Sequence, residues 1–237
     1  MAGEPTPSGI NDALLSGTTS MAPDREAARR IAARFPSVPE MARAGHSFGL
    51  RTGRWAAGKG IRRFIRAGFV TTLPGRNMHD AVGTIAPDAQ IVYVTRGDQA
   101  AMAVEMAGGA HRVAVARARV ARPDEVLASG PVAEMLAGRK PVCLVVGTLM
   151  HFAPPPDAGP YLADLAAALP SGSVLAASLI SAADDRAAAE LSGLFGMDFH
   201  AHTARDAAGW LPGMRVFTLT PEIRSPGTAL GVAARIP

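Results

Sequence analysis

The sequence predicts a doubly wound α/β sheet, and three observations carry that prediction. After Gly58, strand-like runs at 62–67, 90–94, 112–116, 142–149 and 173–178 alternate with helical patterns at 79–85, 98–106, 123–128, 132–137 and 158–169. Runs such as Val142-Cys-Leu-Val-Val146 are almost continuously apolar, which suits strands covered on both faces of a sheet. The last two strand-like runs, 214–220 and 228–235, are close enough in sequence to pair antiparallel. Five α/β units followed by a hairpin give a mostly parallel sheet with helices on both sides.

Taken in order, the first 20 residues are rich in Gly, Ser and Thr and read as a loop or lid. Residues 23–34 read as a helix, with Asp24 and Glu26 in the first turn and arginines toward the end, matching the helix dipole. A second helix is expected from 39 to about 57, although Gly45, Gly49 and Gly53 work against it. Residues 184–195 form a late helix. The expected organisation is an N-terminal loop and helical cap over 1–57 and an α/β domain over 58–237, built as one structural unit. A chain of 237 residues is long enough to bury one substantial core.

Composition excludes several classes. The 48% apolar content argues against wholesale disorder. The net charge of +4 is spread along the chain, and the densest basic stretch, Arg112 to Arg122, has no aromatic platform beside it, so no nucleic-acid partner is expected. A single cysteine, Cys143, excludes an internal disulfide and a Cys-rich zinc site, and its apolar strand makes it a buried, inert thiol. His200 and His202 lack a convincing third ligand, so no metal is expected. No stretch has the length of a membrane span or the pattern of a secretory signal, so the expected location is the cytoplasm, with a small molecule as partner and a homodimer possible.

Ligands of such sheets bind beyond the carboxyl ends of the strands, where strand order reverses. Three tips matter: 66–72, 94–98 and 147–156. The segments Asn11-Asp-Ala-Leu-Leu-Ser-Gly17, Asp24-Arg-Glu-Ala-Ala28, Leu73-Pro-Gly-Arg-Asn-Met-His-Asp80, Val92-Tyr-Val94 and Leu149-Met-His-Phe152 resemble an actinobacterial family of S-adenosyl methyltransferases over nearly the whole chain from about Ile10. The resemblance implies a Rossmann-like, doubly wound, seven-stranded sheet of the class I methyltransferase type with an N-terminal helical cap. It also implies S-adenosylmethionine as the family's donor, with the segment around Asp12 and Gly17 covering the pocket.

The sequence departs from the family's pattern at the donor motifs. The first motif resembles Asp-x-Gly-x-Gly, but here the acid is Arg66, the first glycine is kept as Gly68, and the second is Val70. The ribose-binding acid after the second strand is Thr95, with Asp98 three residues later as a substitute or as a helix cap. Two acids after the third strand are Arg119 and Arg122. Gly68, Thr95 and Asp98 are therefore the candidate cofactor-binding residues. His151 at the fourth strand tip is the candidate base or hydrogen-bond donor, and Arg66 and Arg119 are candidates to orient and polarise a substrate. His79 and Asp80 read as capping and packing residues, and Phe152 and Trp210 as core or cavity wall.

These replacements lead to the expectation of a methyltransferase fold repurposed, without a cofactor, as a cyclase or isomerase of natural-product biosynthesis. Two alternatives stand beside it: an S-adenosylmethionine-dependent O-, N- or C-methyltransferase acting on a small molecule, and a noncatalytic binding or partner subunit.

Overall fold

The computed structural model describes residues 3–69, 71, 73–96, 112–147, 149–219 and 227–237. Three helices come first: α1 (Pro7–Leu14), α2 (Ala22–Arg34) and α3 (Val38–Gly58). Then follow β1 (Arg63–Gly68), α4 (Met78–Gly83), β2 (Gln90–Thr95), β3 (Arg112–Arg117), α5 (Pro123–Ala128), α6 (Gly130–Ala137) and β4 (Cys143–Gly147). A short 3-10 turn (Met150–Phe152) leads to α7 (Pro155–Ala168), β5 (Val174–Ala182), α8 (Asp185–Phe195), α9 (Ala204–Ala208), β6 (Arg215–Thr218) and β7 (Gly227–Arg235). The helix expected over 98–106 lies outside the described residues.

The seven strands form one sheet in the order β3-β2-β1-β4-β5-β7-β6. The first five pair in parallel, and the C-terminal hairpin adds β7 antiparallel to β5 and β6 antiparallel to β7. Strand order reverses between β1 and β4, where Gly68 pairs with Gly147. That crevice is the place for a ligand in a sheet of this kind.

Side-chain alternation divides the core. Ile65, Val92, Val94, Leu144, Val146 and Leu175 face α5, α6 and α7, meeting Val126, Val132, Met135, Leu162 and Leu165. Phe64, Ile91, Tyr93, Cys143 and Val145 face α3 and α4, meeting Ala56, Ala57, Met78 and Val82. With a period of two, Arg66 falls on the α3 side, between residues whose neighbours are all apolar or aromatic.

The expected loop over the first 20 residues is corrected by α1. Pro7 opens the helix, and the Thr6 hydroxyl accepts from Gly9 N–H at 3.1 Å. Asp24 then ties two helix starts together, accepting from Thr6 N–H and Met21 N–H, both at 2.8 Å. Ile10 and Leu14 are buried against a cluster with Ile31, Phe35, Leu191 and Phe199. Burial and capping outweigh the poor helix propensity of Gly and Ser here. The expected second helix forms as α3 despite its glycines, and those glycines face the structure rather than water. A Cβ at Gly53 would lie 2.5 Å from Met78 Sδ, and one at Gly49 would lie 3.1 Å from Arg66 Nη1.

Candidate functional site

The crevice is built from glycine geometry. Gly68 has φ +133, a backbone conformation closed to side-chain-bearing residues, and a Cβ there would fall 2.4 Å from the Gly147 carbonyl oxygen. The chain beyond β1 is held by Asn77. Leu73 N–H donates to Asn77 Oδ1 at 3.0 Å, Asn77 Nδ2 donates to the Leu73 carbonyl at 2.8 Å, and Asp80 accepts from Asn77 N–H at 2.8 Å. His79 packs beneath, with its Nδ1 2.9 Å from the Tyr93 hydroxyl. His79 and Asp80 thus shape the loop that leaves the crevice.

The N-terminal segment meets that loop. Asp12 Oδ2 accepts from Thr19 N–H at 2.9 Å and Ser20 N–H at 2.8 Å, which folds residues 16–20 back over α1. Asn11 Nδ2 donates to the Thr71 hydroxyl at 3.4 Å, and a Cβ at Gly17 would collide with Asp12 and Thr71 together. Asp12 and Gly17 therefore lie against the segment that follows β1.

Arg66 runs along the sheet toward the tip. A Cβ at Gly147 would fall 2.2 Å from its Nη2 and 2.3 Å from its Cζ, so the guanidinium lies directly over that glycine. Arg66 is 6% exposed, and burial pushes its pKa down to about 10, which leaves it charged at neutral pH. Its Nη1 finds no hydrogen-bond partner among the described residues. His46 on α3 is held neutral, with its pKa down at about 4, first by burial and then by the Arg66 charge.

Arg119, expected to orient a substrate, does not share this environment. Its side chain is exposed and bonded to Glu125, with Nε donating to Oε1 at 2.7 Å. Arg122 is likewise exposed and pairs with Asp124 at 3.1 Å. Both arginines are neutralised by acids in the first turn of α5, which also match that helix's dipole. The sequence shows Glu125 six residues beyond Arg119, so this pairing had a visible signal.

His151, the expected base, is a packed histidine. It is 1% exposed, stacked on Phe199 at 4.5 Å and tilted against Phe152 at 4.3 Å. Ile180 N–H donates to its Nδ1 at 3.3 Å, and burial drives its pKa down to about 3. A base that weak, with Nδ1 already engaged, does not accept a proton at neutral pH. Phe152 extends the same aromatic cluster to Phe69, next to Gly68, at 5.7 Å.

Thr95 is buried at the end of β2, opposite Arg117. Asp98 and Val70 lie outside the described residues. Trp210 meets His202 edge-on at 5.4 Å, and His202 Nε2 donates to the Ala153 carbonyl at 3.0 Å. No group of three or more potential metal ligands occurs among the described residues. Cys143 is buried, its thiol pKa pushed up to about 12 by desolvation. No helix among the described residues is long and apolar enough to cross a membrane. A cleft of about 620 Å³ lined by Lys59, Arg62, Lys140 and Arg235 sits at the amino ends of the parallel strands, opposite the crevice.

A family described as S-adenosyl methyltransferase matches residues 2–219. The chain belongs to that family. Among solved structures, a protein from Thermobifida fusca matches with TM-score 0.84 at 22% identity, covering 98% of this chain and 95% of its own. A protein from Streptomyces avermitilis also gives TM-score 0.84, at 23% identity, covering 99% and 98%. Magnesium protoporphyrin IX methyltransferase from Synechocystis, solved with S-adenosylhomocysteine, gives TM-score 0.52 at 14% identity, covering 90% and 94%. These likenesses establish the class I methyltransferase fold. Comparison with curated proteins gives no match.

The family match corrects two expectations: the cofactor-free cyclase or isomerase, and the absence of a cofactor. The physical reason lies in local charge pairing and backbone geometry. The arginines that replace acids after β3 are neutralised locally by Glu125 and Asp124, so they do not make the donor end of the sheet uniformly positive. Gly68 keeps the tight backbone turn at the end of β1, where a Cβ would meet the Gly147 carbonyl oxygen.

The residues present also fit the donor. The buried side-chain atoms without partners among the described residues are Arg66 Nη1, Asp12 Oδ1 and His202 Nδ1. The first two belong to groups that pack against residues at or just beyond the tips of β1 and β4, and they are of opposite chemistry. A ligand offering both an acceptor and donors would satisfy them, and S-adenosylmethionine carries a carboxylate, an ammonium and ribose hydroxyls.

Proposed function

We propose that this protein is an S-adenosylmethionine-dependent methyltransferase acting on a small molecule through oxygen, nitrogen or carbon. The observation that carries the reading is the family match over residues 2–219, supported by the glycine-lined crevice between β1 and β4. When bound, S-adenosylmethionine supplies an electrophilic methyl group to an acceptor atom.

Gly68 and Gly147 bring the β1 and β4 tips together at the crevice, Thr95 ends β2 beside it, and Asp12 with Gly17 closes the pocket from the N-terminal side. Asn77 and Asp80 tie the chain at Leu73 to the start of α4. Phe69 and Phe152, in edge contact beside Gly68, are placed to supply an apolar wall. His151 braces this wall and takes no part in proton transfer. The chain's contribution to rate is then orientation of two bound reactants, which by itself is able to lower a barrier by about 7–11 kcal/mol.

Calorimetric titration of the full chain with S-adenosylmethionine and with S-adenosylhomocysteine tests this reading. Saturable binding of both at one site, in the micromolar range, is the expected result. Absence of heat and of any thermal stabilisation at millimolar ligand would sink it.

A further inference from the structure

Among the described residues, no anion pairs with the buried Arg66 guanidinium. Arg66 sits on β1 between Tyr93 and Val145, and its guanidinium reaches past them to lie over Gly147 at the β4 tip. Gly49 on α3 bounds the other side, 3.1 Å from Nη1 by the position its Cβ would take. Two glycines thus form a slot for one planar side chain. Among the described residues, the charged and titratable groups around it give no neutralisation. His46 donates its Nε2 proton to the Arg76 carbonyl at 2.9 Å, the Tyr93 hydroxyl is bonded to His79, and Asp80 faces Asn77 and His79.

An uncompensated buried charge is among the costliest features a fold carries. The exposed arginines after β3 show that acids are placed beside arginines where this chain pairs them internally. At Arg66 no acid among the described residues plays that part, and the side chain runs toward the crevice, where a bound ligand is placed to supply the anion. S-adenosylmethionine and S-adenosylhomocysteine each carry one anionic group, the carboxylate of the amino-acid end. A planar guanidinium takes a carboxylate through parallel hydrogen bonds, a geometry no point charge reproduces.

We propose that Arg66 is the residue that binds the donor's carboxylate, so that this chain reads the amino-acid end of its donor with a buried cation where its family's motif resembles an acid. The proposal rests on the methyltransferase reading above. It makes Arg66 a cofactor-binding residue, and Gly49 and Gly147 the positions that give it room.

The test uses the full chain, its Arg66→Met and Arg66→Lys variants, and two neutral-sulfur nucleosides. S-adenosylhomocysteine has the amino-acid end, and 5′-methylthioadenosine lacks it. In the wild type, S-adenosylhomocysteine binds the more tightly of the two. Arg66→Met loses roughly 10- to 150-fold in affinity for S-adenosylhomocysteine, the range expected for a hydrogen bond to a charged group, and keeps its affinity for 5′-methylthioadenosine. Its ligand-free melting temperature rises, because an unpaired buried charge has gone. Arg66→Lys keeps the charge without the planar fork and falls between the two.

Unchanged S-adenosylhomocysteine affinity in folded Arg66→Met overturns the proposal and leaves the methyltransferase reading intact. An equal loss for both nucleosides overturns it too, because that marks a general collapse of the site. If Arg66→Met does not fold, Arg66→Lys decides by the same selectivity between the nucleosides. Failure of the wild type to bind either nucleoside overturns the methyltransferase reading and the proposal together.

Discussion

The β1 and β3 tips carry the same kind of replacement in sequence, arginine where the family motif resembles acid, and the fold treats them oppositely. At β3, Arg119 and Arg122 reach into solvent and meet Glu125 and Asp124 on the next helix. At β1, Arg66 is buried among Gly49, Gly147, Tyr93 and Val145, with one guanidinium nitrogen unsatisfied. Charge at the first tip is a local matter that water and neighbouring acids settle. Charge at the second is kept from water and, among the described residues, from any acid. The difference teaches that a motif position is read through its burial, because the cost of an unpaired ion is set by the medium around it.

The largest expected effect is at the backbone that creates the buried tip. Gly68→Ala combines a forbidden φ with a Cβ 2.4 Å from the Gly147 carbonyl oxygen. It should cost on the order of 2–6 kcal/mol in denaturant unfolding, and donor binding should be lost with it. A variant of wild-type stability would mean that the β1 tip is looser than described, and the contrast with β3 would weaken.

Acid titration probes the same buried half. The folded pKa of His151 lies at about 3, below its ordinary 6.5, so the native state binds fewer protons than the unfolded state between those values. Its contribution is present above pH 6.5 and is lost as pH falls toward 3. A single group shifted this far should remove on the order of 3 kcal/mol by pH 4, with His46 adding in the same direction. In His151→Gln, the fall in urea midpoint between pH 7 and pH 4 should shrink. An unchanged slope would assign the acid sensitivity to other groups.

Asp12→Ala removes the acceptor of two backbone N–H groups at residues 19 and 20. A loss of about 1–3 kcal/mol is expected, with faster proteolysis in the segment preceding α2. Resistance to proteolysis equal to wild type would show that the N-terminal segment is held by Asp24 and apolar burial alone.

The smallest effect belongs to the exposed tip. Arg119→Ala and Arg122→Ala should leave the urea midpoint and S-adenosylhomocysteine affinity unchanged, since solvent-exposed pairs contribute little. A clear loss of ligand affinity in either variant would bring the β3 tip into the donor site and erase the contrast.

Much of this was written in the sequence. Apolar runs alternating with helical patterns located all seven strands, and the hairpin of β6 and β7 followed from their spacing. Gly68 identified the crevice because a glycine ending the first strand has few other uses in such a sheet. The helix α1 was hidden, since its stability comes from Asp24 and Phe35, residues that only folding brings near. His151 looked like a base because strand tips are where bases sit, and nothing local announced the Phe199 ring or the Ile180 amide that occupies its lone pair.

The sequence by itself determined the order of the strands, because hydrophobic patterning is a local property of the chain. It also determined which motif positions lost their acids. Tertiary structure alone decided what those losses mean, since burial and pairing depend on residues distant in sequence. Gly147 lies 81 positions from Arg66, and the room it leaves lets the guanidinium lie buried at the β4 tip, with Nη1 unpaired among the described residues.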